Sequence, residues 1–171
     1  MKKEFLMPIF VLSLICLVVS GALAVGNTIT QPVIEEAAAA RAEIIKREII
    51  PDADDLVLLE AEGLPQSITR AYVTSNHIGY IFMVTTTGYG GDIVIMCGID
   101  PDGKIIKTIT LSETETKGIA TPVFDMESEY AGKDKNLEGI DAISGATITS
   151  NAYMGAIRDA FAAFEIVRGM Q

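Results

Sequence analysis

Four hydroxyl side chains lie close together in one short stretch of this 171-residue chain, residues 141–150. They belong to Ser144, Thr147, Thr149 and Ser150. Apolar residues at steps of three and four follow, and this spacing predicts an amphipathic helix packed on a core. At the start of such a helix, unpaired backbone N–H groups and the positive end of the dipole favour a bound phosphate. The same hydroxyls also suit a helix cap, so residue type alone leaves both roles open.

The order of the residues in this stretch is more specific than their composition. Asp141-x-x-Ser144-Gly145-Ala146-Thr147 resembles the motif Asp-x-x-(Ser/Thr)-Gly-Ala-Thr of the FMN-binding domain family. That family includes the G subunit of the Rnf complex and the C subunit of the sodium-pumping NADH:quinone reductase. The resemblance implies that FMN is attached covalently to Thr147 through a phosphoester, by a separate flavin transferase. It implies further cofactor-binding roles for Asp141, Ser144, Gly145, Ala146 and Thr149.

Two further loops are similar to the same family. Gly88-Tyr89-Gly90-Gly91 precedes a strand and not a helix, so by itself it predicts a hairpin turn, but the family has this loop at the same place. The segment 115–120, Glu-Thr-Lys-Gly-Ile-Ala, is similar to the family's Glu-Thr-Pro-Gly-Leu-Gly. This match implies that Glu115 and Thr116 lie near the flavin. Lys117 replaces the family's Pro and Ala120 its second Gly, which makes the shape of this loop harder to carry over.

A membrane segment is predicted near the N-terminus. Residues 5–25 contain no charged side chain, and a helix of this length crosses a hydrocarbon core of about 30 Å. Lys2 and Lys3 precede it, so the positive-inside rule predicts a cytoplasmic N-terminus, residues 1–4, and an extracytoplasmic domain in the cell membrane. Ala22-Leu23-Ala24 also has the form of a signal-peptidase site, so cleavage and release stay open.

The rest of the chain predicts an α+β domain. Residues 26–55 are a short link, to Ile34, and a membrane-proximal helix, from Pro32 to Ile50. Residues 56–171 form the FMN-binding domain, an antiparallel sheet flanked by helices. The predicted strands are Leu56–Ala61, Ser67–Thr74, Gly79–Thr86, Asp92–Ile99 and Lys104–Leu111, separated by turns such as Asp100-Pro101-Asp102-Gly103.

Several classes of function are disfavoured by composition. The formal net charge is −10 and no basic patch is evident, which argues against a nucleic-acid partner. His77 is the only histidine, and Cys16 and Cys97 fall in different segments, so neither a metal site nor a disulfide is predicted. No set of residues for catalysis by the chain alone is recognisable.

The resemblance therefore implies an electron-transfer subunit of a membrane Rnf-type complex, an ion-translocating oxidoreductase. Such a subunit relays electrons through FMN among other membrane subunits that couple ferredoxin oxidation to ion translocation. The C-type subunit of a quinone reductase is a related alternative, although it is usually a longer protein. An alternative of another class is a membrane-anchored, exported binding or scaffold domain without flavin, in which residues 144–150 only cap the helix.

Overall fold

The structure, a computed structural model, describes residues 2–170, without the side chains of residues 2–6 and 33–43. The chain divides into two compact units, Met1–Arg41 and Ala42–Gln171. Helix α1 (Lys2–Ile49) makes up the first unit, and its last turns belong to the second. Within α1, Met7–Pro32 is long and apolar enough to span a membrane, by its length and composition. The side chains of Lys2 and Lys3, from which the orientation was predicted, lie outside the described residues.

The predicted link between the two N-terminal helices is itself helical, because α1 continues through residues 26–34. The hydroxyls of Thr28 and Thr30 donate to the carbonyls of Ala24 and Gly26, at 2.9 and 2.7 Å, within the helix. A single helical glycine costs only about 1 kcal/mol relative to alanine, which is too little to end a long apolar helix. Pro32 therefore lies inside α1 and not at the start of a second helix.

The second unit contains a five-stranded antiparallel sheet whose strands are neighbours in chain order. The strands are β1 (Leu56–Leu59), β2 (Ile68–Thr74), β3 (Tyr80–Thr87), β4 (Asp92–Ile99) and β5 (Ile105–Ser112). The glycine-rich residues 88–91 join β3 to β4, and Asp100-Pro101-Asp102-Gly103 joins β4 to β5, as the sequence predicts. In the turn after β4, Gly103 has φ 78° and its N–H donates to the carbonyl of Asp100 at 3.0 Å. The predicted α+β class is confirmed.

Both faces of the sheet are covered, which explains why β3 and β4 are apolar almost throughout. Helix α3 (Thr147–Arg168) packs on one face, where Phe82 and Ile95 are fully buried. The last turns of α1 pack on the other face, against Ile81 and Met96. Gly98 permits this approach, because a Cβ at that position would overlap the Cγ2 atom of Ile49.

Between β5 and α3 the chain forms helix α2 (Thr121–Asp125), a 3-10 helix (Met126–Tyr130) and an irregular segment. This connection covers the outer edge of β5. The N–H of Gly132 donates to the carbonyl of Ile105 at 2.7 Å, and the N–H of Ile105 donates to the carbonyl of Lys133 at 2.9 Å. Ile140 and Ile143 then pack on the core beside α3. The connection thus brings the motif residues to the start of α3.

Candidate functional site

The glycine loop between β3 and β4 is shaped by the segment packed on it. Its turn is closed by the N–H of Gly88, which donates to the carbonyl of Gly91 at 2.8 Å. A Cβ at Gly88 would overlap the Glu115 carboxylate, and one at Gly91 would overlap the Thr114 hydroxyl. Glycine at these two positions therefore leaves room for the side chains of residues 114 and 115. Tyr89 is the side chain that the loop presents, and it is 74% exposed.

Glu115 is the buried centre of the segment that follows β5. Its side chain is 8% exposed, although the residue lies in a connection that the sequence alone would assign to solvent. Oε1 accepts from the N–H of Gly90 at 3.1 Å, and Oε2 accepts from the hydroxyl of Thr149 at 3.0 Å. The backbone N–H of Glu115 donates to the Glu113 carboxylate at 2.6 Å. One carboxylate thus joins the glycine loop, the segment after β5 and helix α3.

The rest of this segment turns back towards α2. The N–H groups of Ile119 and Ala120 both donate to the carbonyl of Thr116 at 3.2 Å, and Gly118 has φ 88°. Lys117, the residue that replaces the family's proline, is exposed. Ala120, which replaces a glycine, is buried as the N-cap of α2. The turn therefore forms with the residues present in this chain.

The four hydroxyls of residues 144–150 have different environments. Ser150 is buried; its hydroxyl donates to the carbonyl of Ala146 and accepts from the N–H of Ile143, both at 3.0 Å. Thr149 is also buried and donates to Glu115. Ser144 and Thr147 are exposed. The Thr147 hydroxyl has a long contact, 3.5 Å, to the carbonyl of Ile143.

The start of α3 is not capped by a side chain. The N-cap residue is Ala146, and no side-chain hydrogen bond caps the helix there. The N–H groups of the first turn consequently keep their capacity to bind an anion, with the dipole in their favour. Gly145 precedes them with φ 87°, and a Cβ there would meet no atom within 4 Å. The backbone at Gly145 is thus uncrowded at the point where it lines a cavity.

A cavity of about 440 Å³ lies where these three segments meet. It is lined by Tyr89, Glu115, Thr116, Ile119, Ala120, Gly145, Ala146, Thr147, Ile148 and Thr149. The volume is within the range of about 300–1,000 Å³ that is usual for cofactor sites. Tyr89, Ile119 and Ile148 are large apolar or aromatic side chains, exposed by 74%, 57% and 58%. Such residues suit a planar aromatic ligand, and the start of α3 suits its phosphate.

Six of the eight predicted cofactor residues line this cavity. Glu115 and Thr116 come from the segment after β5, and Gly145, Ala146, Thr147 and Thr149 from the motif. Ser144 and Asp141 are exposed and do not line it. Tyr89, Ile119 and Ile148 line the cavity but were not predicted as site residues. The sequence could have indicated them, because Tyr89 and Ile119 are large apolar side chains in polar loops and Ile148 lies outside the apolar face of α3.

A partly buried polar cluster packs against α3 at Tyr153. The Tyr153 hydroxyl lies 3.4 Å from a carboxylate oxygen of Glu127, and the same oxygen accepts from the N–H of Thr110 at 2.6 Å. Burial raises the pKa of the Tyr153 phenol, and the charge of Glu127 raises it further. The phenol is therefore neutral and serves as a donor. Phe124 and Tyr130 pack on its ring, at centroid distances of 6.2 and 5.4 Å.

Comparison of this chain with known proteins identifies its family. The FMN-binding domain family matches residues 88–162, from the glycine loop into the second half of α3. The G subunit of the ion-translocating oxidoreductase complex of Methanosarcina acetivorans is 30% identical, over 93% of this chain and 94% of the relative. The chain belongs to this family of G subunits.

Other members of the family are similar over nearly the same range. The G subunit of the ion-translocating oxidoreductase complex of Shewanella piezotolerans is 26% identical, over 92% of this chain and 88% of its own. The G subunit of the Na⁺-translocating ferredoxin:NAD⁺ oxidoreductase complex of Acetobacterium woodii is 26% identical, over 87% and 88%. The resemblance predicted from the motif, to the Rnf G family, is therefore confirmed.

Proposed function

We propose that this chain is an electron-transfer subunit of a membrane-bound Rnf-type complex and that its cofactor is FMN, joined by a phosphoester to Thr147. The observation that carries the proposal is the position of Thr147. Of the four hydroxyls of residues 144–150, its hydroxyl alone belongs to a residue that both is exposed and lines the cavity. Ser150 and Thr149 are engaged in buried hydrogen bonds, and Ser144 lies outside the cavity.

The residues around the cavity suit each part of FMN. The N–H groups at the start of α3 would hold the phosphate, with Gly145 leaving the approach open. Tyr89, Ile119 and Ile148 would contact the ring system. Bound FMN supplies the electron-transfer chemistry, and the protein orients the ring and tunes its potential. A covalent bond also keeps the cofactor on the protein where a dissociated one would be lost by dilution.

Helix α1 and the family support a membrane role. Met7–Pro32 would anchor the chain, with a cytoplasmic N-terminus and the flavin domain on the other side of the membrane. Other membrane subunits would donate and accept electrons, and a flavin transferase would attach the FMN. The relatives from Acetobacterium woodii and Clostridium ljungdahlii are named for ferredoxin:NAD⁺ oxidoreductase complexes, which suggests the same overall reaction here.

A scaffold domain without flavin is the competing proposal, in which residues 144–150 only cap α3. The structure gives Ser150 a structural role, because its hydroxyl bridges residues 143 and 146 before the helix, although it does not cap the first N–H groups of α3. It gives Thr147 no comparable role, since the N-cap is Ala146 and Thr147 has only the contact at 3.5 Å. The cap explanation therefore leaves the exposed hydroxyl of Thr147 without a purpose.

Peptide mapping tests the attachment. Trypsin should release residues 136–158 as one peptide, cut after Lys135 and Arg158. After co-expression with a flavin transferase, we expect this peptide to carry one FMN, with fragment ions that place it on Thr147. Ser144→Ala is the matched control, an exposed hydroxyl of the same motif, and should keep the FMN. FMN on another residue, or an unmodified peptide beside an active transferase, contradicts the proposal.

Membranes that contain the whole complex test the relay. We expect Thr147→Ala to abolish NAD⁺ reduction by reduced ferredoxin, while immunoblots show the chain still in the membrane. Thr147→Ser keeps a hydroxyl and should retain activity in proportion to the flavin that it carries. Full activity of a flavin-free Thr147→Ala complex would refute the relay role.

A further inference from the structure

Glu115 was predicted to contact the flavin, but both of its carboxylate oxygens are bonded within the protein. Oε1 accepts from the N–H of Gly90 and Oε2 from the hydroxyl of Thr149. The two donor residues are 59 positions apart in the chain, and the cavity is lined by Thr149 and by Tyr89, the neighbour of Gly90. We propose that Glu115 is a positioning residue, which fastens the glycine loop to α3 and so fixes Tyr89 at the cavity.

The packing of the loop supports this role. The carboxylate of Glu115 lies directly beside Gly88, where a Cβ would overlap its Oε1 atom. At Gly90, a Cβ would lie 2.7 Å from the carbonyl oxygen of Thr114 and 3.1 Å from the Cα of Glu115. The loop is thus closed over residues 114 and 115. If the carboxylate is removed, Gly90 loses its acceptor and the loop loses its connection to α3.

Thr149 is the other end of the same connection. Its side chain is 2% exposed, and it lies two residues beyond Thr147 in the first turn of α3. A shift of the loop relative to α3 therefore changes the distance between Tyr89 and the start of the helix. Because the proposed flavin would contact both, the connection sets the geometry of the ring relative to its point of attachment. This part of the inference rests on the proposed function.

A glutamine at residue 115 should preserve the connection. Its carbonyl oxygen accepts from Gly90, and its amide group donates to the Thr149 oxygen, since a hydroxyl both donates and accepts. Alanine preserves neither bond. Comparison of Glu115→Gln with Glu115→Ala therefore tests whether the two hydrogen bonds of this side chain hold the loop in place. Thr149→Ser and Thr149→Val make the same comparison from the other side.

Hydrogen exchange of the full-length chain in detergent tests the connection without flavin, in a Thr147→Ala background. We expect Glu115→Ala to raise exchange in peptides that cover residues 85–94 by about tenfold, or about 1.4 kcal/mol of local opening free energy. Glu115→Gln should stay close to the parent. Peptides from α3, residues 153–164, should be unchanged and report that the variants fold. Glu62→Ala, an exposed glutamate in another loop, is the matched control.

Visible circular dichroism of the flavin-loaded protein with Thr147 intact tests the effect on the ring. We expect the flavin bands to weaken in Glu115→Ala and Thr149→Val and to be retained in Glu115→Gln and Thr149→Ser. Unchanged exchange in Glu115→Ala, or a glutamine variant as perturbed as the alanine variant, would overturn the proposal. Raised exchange in a chain that never acquires flavin would support the positioning role while refuting the proposed function.

Discussion

The backbone at Gly145 gives the sharpest test of the site, because the chain contains a matched glycine for comparison. Gly145 has φ 87°, and a Cβ there meets no atom within 4 Å. Gly155, inside α3, also has open space for a Cβ, and its φ is not positive. Alanine at either position therefore fits sterically with respect to other residues. The two substitutions differ in backbone conformation alone.

The expected effects have opposite signs. Gly145→Ala places an L side chain in the left-handed region, which costs about 1–2 kcal/mol in the free energy of unfolding. Gly155→Ala replaces a glycine inside a helix, which stabilises by about 1 kcal/mol. The difference of about 2–3 kcal/mol corresponds to roughly 4–12 °C in Tm for a chain of this size. Gly145→Asn should lie closer to the parent, since asparagine tolerates positive φ.

Thermal unfolding of the full-length protein in detergent, followed by circular dichroism, measures these differences. The flavin-free Thr147→Ala background keeps the cofactor from contributing. In the flavin-loaded protein, Gly145→Ala should also reduce FMN incorporation, because strain at residue 145 would shift the backbone next to Thr147. Equal shifts of Tm in the same direction for the two alanine variants would refute the assignment of residue 145 to a left-handed turn.

Two further predictions concern the core. Gly98→Ala should lower the free energy of unfolding, measured by urea titration, by about 1–3 kcal/mol, because the new Cβ overlaps the Cγ2 of Ile49. Ile49→Leu removes that methyl group, so the double variant should recover part of the loss. Additive effects of the two substitutions would contradict the contact. Burial raises the pKa of the Cys97 thiol from 9.0 to about 12, so the folded chain holds this proton more tightly than the unfolded one. The contribution of this thiol to the free energy of unfolding is complete below pH 9. It is lost as the pH rises towards 12, by about 1.4 kcal/mol per pH unit. Cys97→Ala should make the alkaline fall in stability shallower, and an unchanged slope would contradict the burial of the thiol.

The sheet was predictable because its signals are local. The period-two pattern predicted from Leu56 onward and the turns at residues 88–91 and 100–103 give each strand end within about two residues of its observed position, although β3 and β4 are apolar almost throughout. The helical structure of residues 26–34 was not predicted, because Gly26 and Pro32 indicate the end of a helix. In the structure α1 continues through both residues. A single glycine or proline in the sequence does not show how stable the helix on either side of it is.

The site was predictable as far as the motif extends. Thr147 and Gly145 lie at the cavity, but Asp141 belongs to the same motif and lies outside it. The bond between Thr149 and Glu115 joins residues 34 positions apart, and no pattern along the chain indicates it. The same is true of Tyr89, whose place at the cavity depends on how the glycine loop folds over residue 115. Contacts between segments that are distant in the chain can be identified only from the folded structure, in which the sheet brings these segments together.

In-gel ultraviolet fluorescence of the denatured protein is the most direct test of covalent FMN on Thr147. The full-length chain and its Thr147→Ala variant are expressed with a flavin transferase, exported and separated under denaturing conditions. We predict a fluorescent band for the parent chain and none for the variant at equal protein load. A dark parent band, beside a second substrate that the transferase does label, would contradict the proposed attachment and favour an anchored domain without flavin.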